Sequence, residues 1–454
     1  MRPAWIVPAF RNPIAATGIA LTTAAGLLFA FLVALQLVGF LQNPYVGIVI
    51  FVMVPGVFLI GLLLIPVGLW SERRRVRRGL AARAWPRIDL NDPSMRRMAL
   101  FLAAATLVNL FIVSIASYGA VEYTASQDFC GQVCHAVMEP EFVAHQAGPH
   151  GRIGCVACHV GPGAQGFIDA KLSGTRQLAL ILTRTYQRPI PTPVGNLPGV
   201  RSSCEACHHP GHYVGDRLKL FYEHADDEAN TQTVNTLRLH VGGPFRDGGT
   251  GSGIHWHMNR ANAIDYVTLD ASRATIPYVR VSTSEGEVRE YFAEGVAAAE
   301  IAGLPRRRMD CLDCHTRPAH PFAASAEGEV DAALGAGEIS RDVPFIRREA
   351  VAALKAGYPS LEAALDRIER SIRNGVTLAA TGPVDERQLA QAVAVTQALY
   401  RVNVFPAMNV TWGTYVNQLG HTEADGCFRC HDDRHRTTSG LTIAQNCDGC
   451  HSFE

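Results

Sequence analysis

Every one of the twelve cysteines in this 454-residue chain belongs to a pair, and a histidine directly follows each pair. Five pairs have the form C-x-x-C-H: Cys155 and Cys158 with His159, Cys204 and Cys207 with His208, Cys311 and Cys314 with His315, Cys427 and Cys430 with His431, and Cys447 and Cys450 with His451. The sixth, Cys130 and Cys134 with His135, has one more residue between its cysteines. Zinc ribbons use C-x-x-C pairs but need no histidine after each one. A disulfide scaffold is a small chain, usually under about 100 residues. With seventeen histidines in the chain, six such placements by chance have a probability on the order of 10⁻⁹. The pattern is the attachment signature of c-type haem: two thiols add to the two vinyl groups of the porphyrin, and the next histidine lies under the iron. Six covalently attached haems c are expected, with His135, His159, His208, His315, His431 and His451 as proximal ligands. The extra residue in the first motif must bulge.

A six-coordinate haem needs a second axial ligand, commonly another imidazole. Seventeen histidines less these six leave eleven. His150 lies five residues before Cys155 and His421 six before Cys427, placements that suit a ligand handed to a neighbouring haem. His255 and His257 flank Trp256, and His320 and His435 follow closely behind their own motifs. These six are the distal candidates. At the first motif, Met138 and His145 compete with His135 for the iron. His209, His212, His224 and His240 are weaker candidates.

No charged side chain occurs between Arg11 and Glu72. Two apolar runs, about 15–41 and 46–70, fill that stretch, and a third charge-free run covers about 98–121. A bilayer core about 30 Å thick needs roughly 20 apolar residues as helix, so each run can span it. The first is too long for the apolar region of a cleaved signal peptide. Gln42, Asn43, Pro44 and Tyr45 read as a tight turn between two antiparallel spans. The loop 71–97 carries nine arginines against Glu72, Asp89 and Asp92. The positive-inside rule places that loop in the cytoplasm, with the N-terminus, and everything after about Glu122 outside the cytoplasmic membrane. The 41 basic and 41 acidic residues balance, which speaks against a nucleic-acid partner.

The expected fold is a membrane domain of three helices, 1–121, followed by a mostly α, haem-packed domain with a small β-rich insertion. Three further divisions are expected: 122–225 with three haem motifs, 226–325 with the β-rich insertion and the fourth motif, and 326–454 with helices and the last two motifs. Strand-like runs occur at 233–241, 263–269 and 278–292, the last with a hairpin signal at Ser284-Glu285-Gly286. His255 and His257 should sit on a loop of this module. Ser360 can cap a helix whose apolar positions Leu361, Ala364, Leu365, Ile368 and Ile372 follow the 3.6-residue period. Residues 385–400 read as another helix.

One membrane span, then Tyr123 to Cys130, Cys134-His135 with Met138 close behind, His150, and Cys155 to His159 resemble the NapC/NrfH/CymA family of membrane quinol dehydrogenases (NapC/NirT type) over roughly 100–210. The segments Gly253 to His257, Met309 to His320 and Gly426 to His431 are similar to the longer, ImcH-type multihaem members. The family's first motif is C-x-x-C-H-x-M; here each gap is one residue longer. The short members carry four haems, so two are added. The resemblance implies an inner-membrane quinol:cytochrome oxidoreductase, with its haem domain in the periplasm and a quinol pocket beside the first haem. The donor would be menaquinol or ubiquinol from the membrane pool. The acceptors would be periplasmic c-type cytochromes or a terminal reductase. A quinol site must accept protons; Asp128, Glu139, Glu141 and Asp169 are near in sequence, and Lys171 lies where the family has a lysine. Lys171, Asp128 and Asp169 are taken as the site.

Two other functions compete. A terminal reductase of a small oxyanion needs an iron with an open position, often marked by C-x-x-C-K, a motif this chain does not contain. An electron-wire subunit of a larger respiratory complex would carry the same haem motifs with its quinol site elsewhere.

Overall fold

The computed structural model describes residues 12–37, 50, 53–78, 91–133, 135–161, 163–192, 199–208, 215–242, 253–259, 261–283 and 285–454. They form two compact units, 1–135 and 136–454. Residues 122–135, with the first motif, fall in the smaller unit, and the larger unit runs to the last residues, where β2 at 232–239 pairs with 451–453.

In the first unit, α1 (Pro13–Leu37) packs along α2 (Val54–Arg77), followed by α3 (Pro93–Ala125). Small residues allow α1 and α2 to approach: a Cβ on Gly61 would lie 2.8 Å from the Thr22 nitrogen, and one on Gly68 would lie 2.6 Å from the Ala15 nitrogen. Such small-residue contacts are how helices meet where apolar burial gives no net drive. Asn12 caps α1, its side-chain oxygen accepting from the Ile14 amide at 2.9 Å, while its amide donates to the Gly68 carbonyl at 3.1 Å. Phe29, Val54, Phe58 and Ala116 close the interior. Leu27, Phe31, Leu63, Trp70, Leu107 and Phe111 point outward and stay exposed. A soluble protein rarely exposes apolar surface on this scale. Two helices, Pro13–Leu35 and Val54–Arg75, are long and apolar enough to cross a bilayer. The run expected at 98–121 lies within α3, whose 33 residues extend about 50 Å at 1.5 Å per residue.

The basic loop expected from 71 starts later, because α2 continues through Arg73, Arg74 and Arg75 to Arg77. Arginine is a good helix former, and nothing there breaks the helix. The expected turn at Gln42–Tyr45, and Arg83 and Arg87, lie outside the described residues.

α4 (His135–Ala147) starts at the boundary and lies otherwise in the larger unit, followed by α5 (Gly163–Thr183). A three-stranded antiparallel sheet follows, ordered β1 (Arg217–His224), β2 (Gln232–Leu239) and β7 (His451–Phe453). A second sheet has the order β5 (Val288–Phe292), β4 (Tyr278–Ser282), β3 (Ala263–Val267), β6 (Arg307–Arg308). The β4–β5 turn falls at the expected hairpin, where Gly286 has a φ of 80° that favours glycine. Four helices then share one apolar core: α6 (Ala326–Gly335), α7 (Ile346–Lys355), α8 (Leu361–Ala379) and α9 (Glu386–Asn403). Ser360 caps α8 by accepting from the Ala363 amide, and Asp385 caps α9. A buried polar junction fastens β1 to this bundle. Asp331 of α6 accepts from His224 at 3.0 Å and from Arg347 at 2.9 Å.

Candidate functional site

A C-x-x-C-H sequence wound into one helical turn puts its first cysteine, its second and its histidine on one face, since residues three and four apart are neighbours on a helix. The chain does this repeatedly. The amides of His159, His208, His315 and His431 donate to the carbonyls of Cys155, Cys204, Cys311 and Cys427 at 3.0, 2.8, 2.9 and 3.0 Å. The last motif makes the tighter Cys450-to-Cys447 bond at 2.9 Å. At the first motif the backbone is π-helical over Phe129–Val133, a wider turn that takes up an extra residue. Cys134 lies outside the described residues.

The eleven described cysteines form no disulfide. Among the described residues no three His, Cys, Asp or Glu side chains converge as a bare metal ion would need. Instead the five C-x-x-C-H motifs follow one another in space in chain order. Cys158 lies near Cys207, and Cys204 lies near Cys311. Cys314 neighbours Cys427 and Cys430, and Cys450 neighbours Cys427.

Each of these motifs has a second imidazole nearby. Ring centres are 6.1 Å apart for His159 and His320, 5.8 Å for His208 and His150, 5.8 Å for His431 and His257, and 6.1 Å for His451 and His421. His315 feels the charge of His255. Two imidazoles on opposite sides of one metal, each nitrogen about 2 Å from it, have ring centres roughly 6 Å apart. Hydrogen bonding sorts the histidines further. The Nδ1 atoms of His320, His150, His257 and His431 meet the carbonyls of Glu141, Pro318, Ile254 and Ala444 at 2.8, 3.0, 2.8 and 3.0 Å. A ring held this way by a carbonyl presents Nε2 to a metal. Burial holds the His257 imidazole below its ordinary range and pushes His320 down to about 4. The neutral ring is the ligating form. His421 stacks on Phe428 at 4.4 Å, which fixes its plane. The residues present therefore fit haem at these five motifs.

Two histidines are engaged elsewhere. His435, one of the distal candidates, is buried with Nδ1 on Asp432 at 3.0 Å and Nε2 on the Ile276 carbonyl at 2.7 Å, so neither nitrogen faces a metal. His224 is likewise held at both nitrogens, by Asp331 and Gln232. His145 is different: it is buried, its ring centre is 5.6 Å from that of His320, and its Nδ1 has no hydrogen-bond partner among the described residues. Met138 is half-buried on α4.

The motifs are locked by residues inside them. Asp313, within the fourth motif, is 1% exposed. Its carboxylate accepts from the Tyr266 hydroxyl at 2.6 Å, from Arg273 at 2.6 Å and from Arg307 at 3.0 Å. Arg429, within the fifth, donates to the carbonyls of Asp313 at 2.6 Å, Arg273 at 2.8 Å and Gly426 at 2.7 Å. The sequence gives no sign of this junction, because its partners are distant along the chain.

Of the residues read as a quinol site, Asp128 is exposed and accepts from Gln132 at 3.1 Å. Asp169 is exposed on α5 and Lys171 half-buried; residues two apart on a helix do not face each other. Glu139 is exposed on α4. Glu141 is buried against Arg317, and burial raises its pKa above the usual carboxylate range despite that guanidinium.

Over 449 residues the chain is 39% identical to the cytochrome c-type protein ImcH of Geobacter sulfurreducens, an alignment covering 97% of this chain and 88% of that protein. No protein-family profile matches the chain, and no solved structure matches it.

Proposed function

This chain belongs to the ImcH-type family of c-type cytochromes, and from that premise we propose that it is an inner-membrane hexahaem cytochrome that oxidises menaquinol or ubiquinol and delivers the electrons to periplasmic acceptors. The observation that carries the reading is the run of five motifs, neighbour to neighbour, four of them with a second imidazole at metal-spanning distance and the other with His255 near His315. Bound haem c supplies one-electron transfer, at a potential set by its axial ligands and burial.

The chain's own residues would do the rest. The twelve cysteines would fix the rings covalently. His159 with His320, His208 with His150, His315 with His255, His431 with His257, and His451 with His421 would hold five irons from both sides. His135 would hold the sixth. Its second ligand would come from Met138 or His145. α3 would be a third span, with the arginines between α2 and α3 in the cytoplasm and residues 136–454 in the periplasm. Quinol releases two protons with its two electrons, and Lys171, Asp128 and Asp169 are the proposed groups to handle them.

A terminal reductase is less well supported, since it needs an open iron position and each of the five motifs has a facing imidazole. A wire subunit fed by a partner would use the same array. The deciding experiment adds a menaquinol analogue to the oxidised, purified protein and follows the reduced haem α-band, with and without a quinol-site inhibitor and in Lys171→Ala. Rapid, inhibitor-sensitive reduction is expected. Full reduction by dithionite with none by quinol would leave the wire. Mass spectrometry showing fewer than six haem adducts would overturn the hexahaem count.

A further inference from the structure

The helix α5 carries an apolar stripe that no described residue covers. Steps of 100° place Ile168, Leu172, Thr175, Leu178, Ala179 and Leu182 within an arc of about 120°. All six are exposed, Leu172 at 66% and Leu182 at 76%. The opposite side of the helix holds the unit: Ile181 packs against Val137, Phe405 and Tyr415. A helix needs only one apolar face to dock, and this one has two. By the same steps Lys171 falls within the arc, between Leu178 and Leu182, and Arg176 about 40° beyond the other edge. Asp169 is the helix's one acidic residue.

We propose that α5 lies in the surface of the bilayer, with this stripe in the boundary between headgroups and acyl chains and with Arg176 reaching up to lipid phosphates. An exposed apolar face bordered by a basic side chain is a form of interfacial helix, and a long basic side chain suits such an edge because its stem is apolar and its head is wet. Lipid, and not a protein, is the occupant because the same chain carries helices built to cross a bilayer. Only residues 126–162 separate the end of α3 from the start of α5, a short tether. The proposal rests on α3 being the third span, as read above. It does not depend on quinol oxidation, and it would hold the second haem motif, which directly precedes α5, close to the membrane.

The test uses the full-length, haem-loaded protein in nanodiscs of phosphatidylethanolamine and phosphatidylglycerol doped with a diazirine phospholipid. Irradiation and peptide mass mapping then locate the lipid adducts. Adducts are expected on 163–183, at Leu172, Leu178 and Leu182, beside those on 13–37 and 54–77. The double variant Leu172→Glu, Leu182→Glu should lower labelling of 163–183 by about tenfold while haem content and labelling of 13–37 stay unchanged. Adducts on 93–125 report the third span separately, so a failure there is told apart from a failure of α5. Labelling confined to the other three helices would overturn the proposal. Cross-links between two copies through 163–183, without lipid adducts there, would overturn it as well.

Discussion

In the bundle of α6 to α9, Ile346, Ile368, Ile372 and Val376 are wholly shielded from water, whereas no residue is buried in the turns Val156–His159, Ile254–Met258 and Cys447–Gly449. The bundle is held by its own apolar core, and each fully buried side chain contributes about 1.5–3 kcal/mol. The motif segments are held by backbone turns and by polar junctions such as Asp313 with Arg273 and Arg307. They have little apolar interior of their own. The difference teaches that residues 326–403 fold on side-chain packing, while the motif segments are organised to receive a large flat apolar group.

Removing that group should separate the two regions most. Protein exported without haem attachment should keep slow amide exchange over 326–403 and lose it around 155–159, 204–208 and 427–451. Uniform protection in both regions would break the comparison.

Asp313→Ala should come next. It leaves Arg273, Arg307 and Tyr266 without their shared acceptor, and breaking a buried pair of this kind costs about 3–5 kcal/mol. The effect should appear as a lower unfolding midpoint and a disturbed spectrum of the fourth and fifth haems. Ile368→Ala should cost about 2–5 kcal/mol through its cavity, with the visible spectrum unchanged. If both variants disturb the spectrum equally, the two regions are one cooperative unit.

The smallest effect concerns pH. Burial first, then repulsion from Glu423 and Glu338, raises the Glu329 carboxyl above its ordinary 4.5, against a hydrogen bond from Asn403. A raised folded value means that its stabilising contribution is present in full below 4.5 and is lost as pH rises through the folded value. Glu329→Gln should therefore flatten the decline of the bundle's melting temperature with rising pH and leave its value at low pH nearly unchanged. A decline as steep in the variant would remove Glu329 from the account.

What the sequence showed and what it hid follows the same division. The start of α8 was legible because its cap and its apolar period are local: Ser360, then Ala364, Ile368 and Ile372. The β4–β5 hairpin was legible from Glu285-Gly286. β1 was not, since Arg217 to His224 mixes charge with Leu218, Leu220 and Phe221 and gains its meaning only by pairing with β2. β7 was hidden because it starts on the last motif's own histidine and, at three residues, makes a strand only against Leu237 to Leu239. The motifs themselves are written in the sequence, but which imidazole faces which is a matter of space. His435 follows its motif as closely as His320 follows its own, yet hydrogen bonds at both nitrogens turn it to another use.

The ring pairs also carry an order in time. A chain threaded outward from its N-terminus presents His150 before His208, His255 before His315, His257 before His431 and His421 before His451. Each of those four motifs would then emerge after its partner ring. His159 alone would wait for His320, so its site would close third, after those of His208 and His315 although it emerges before both.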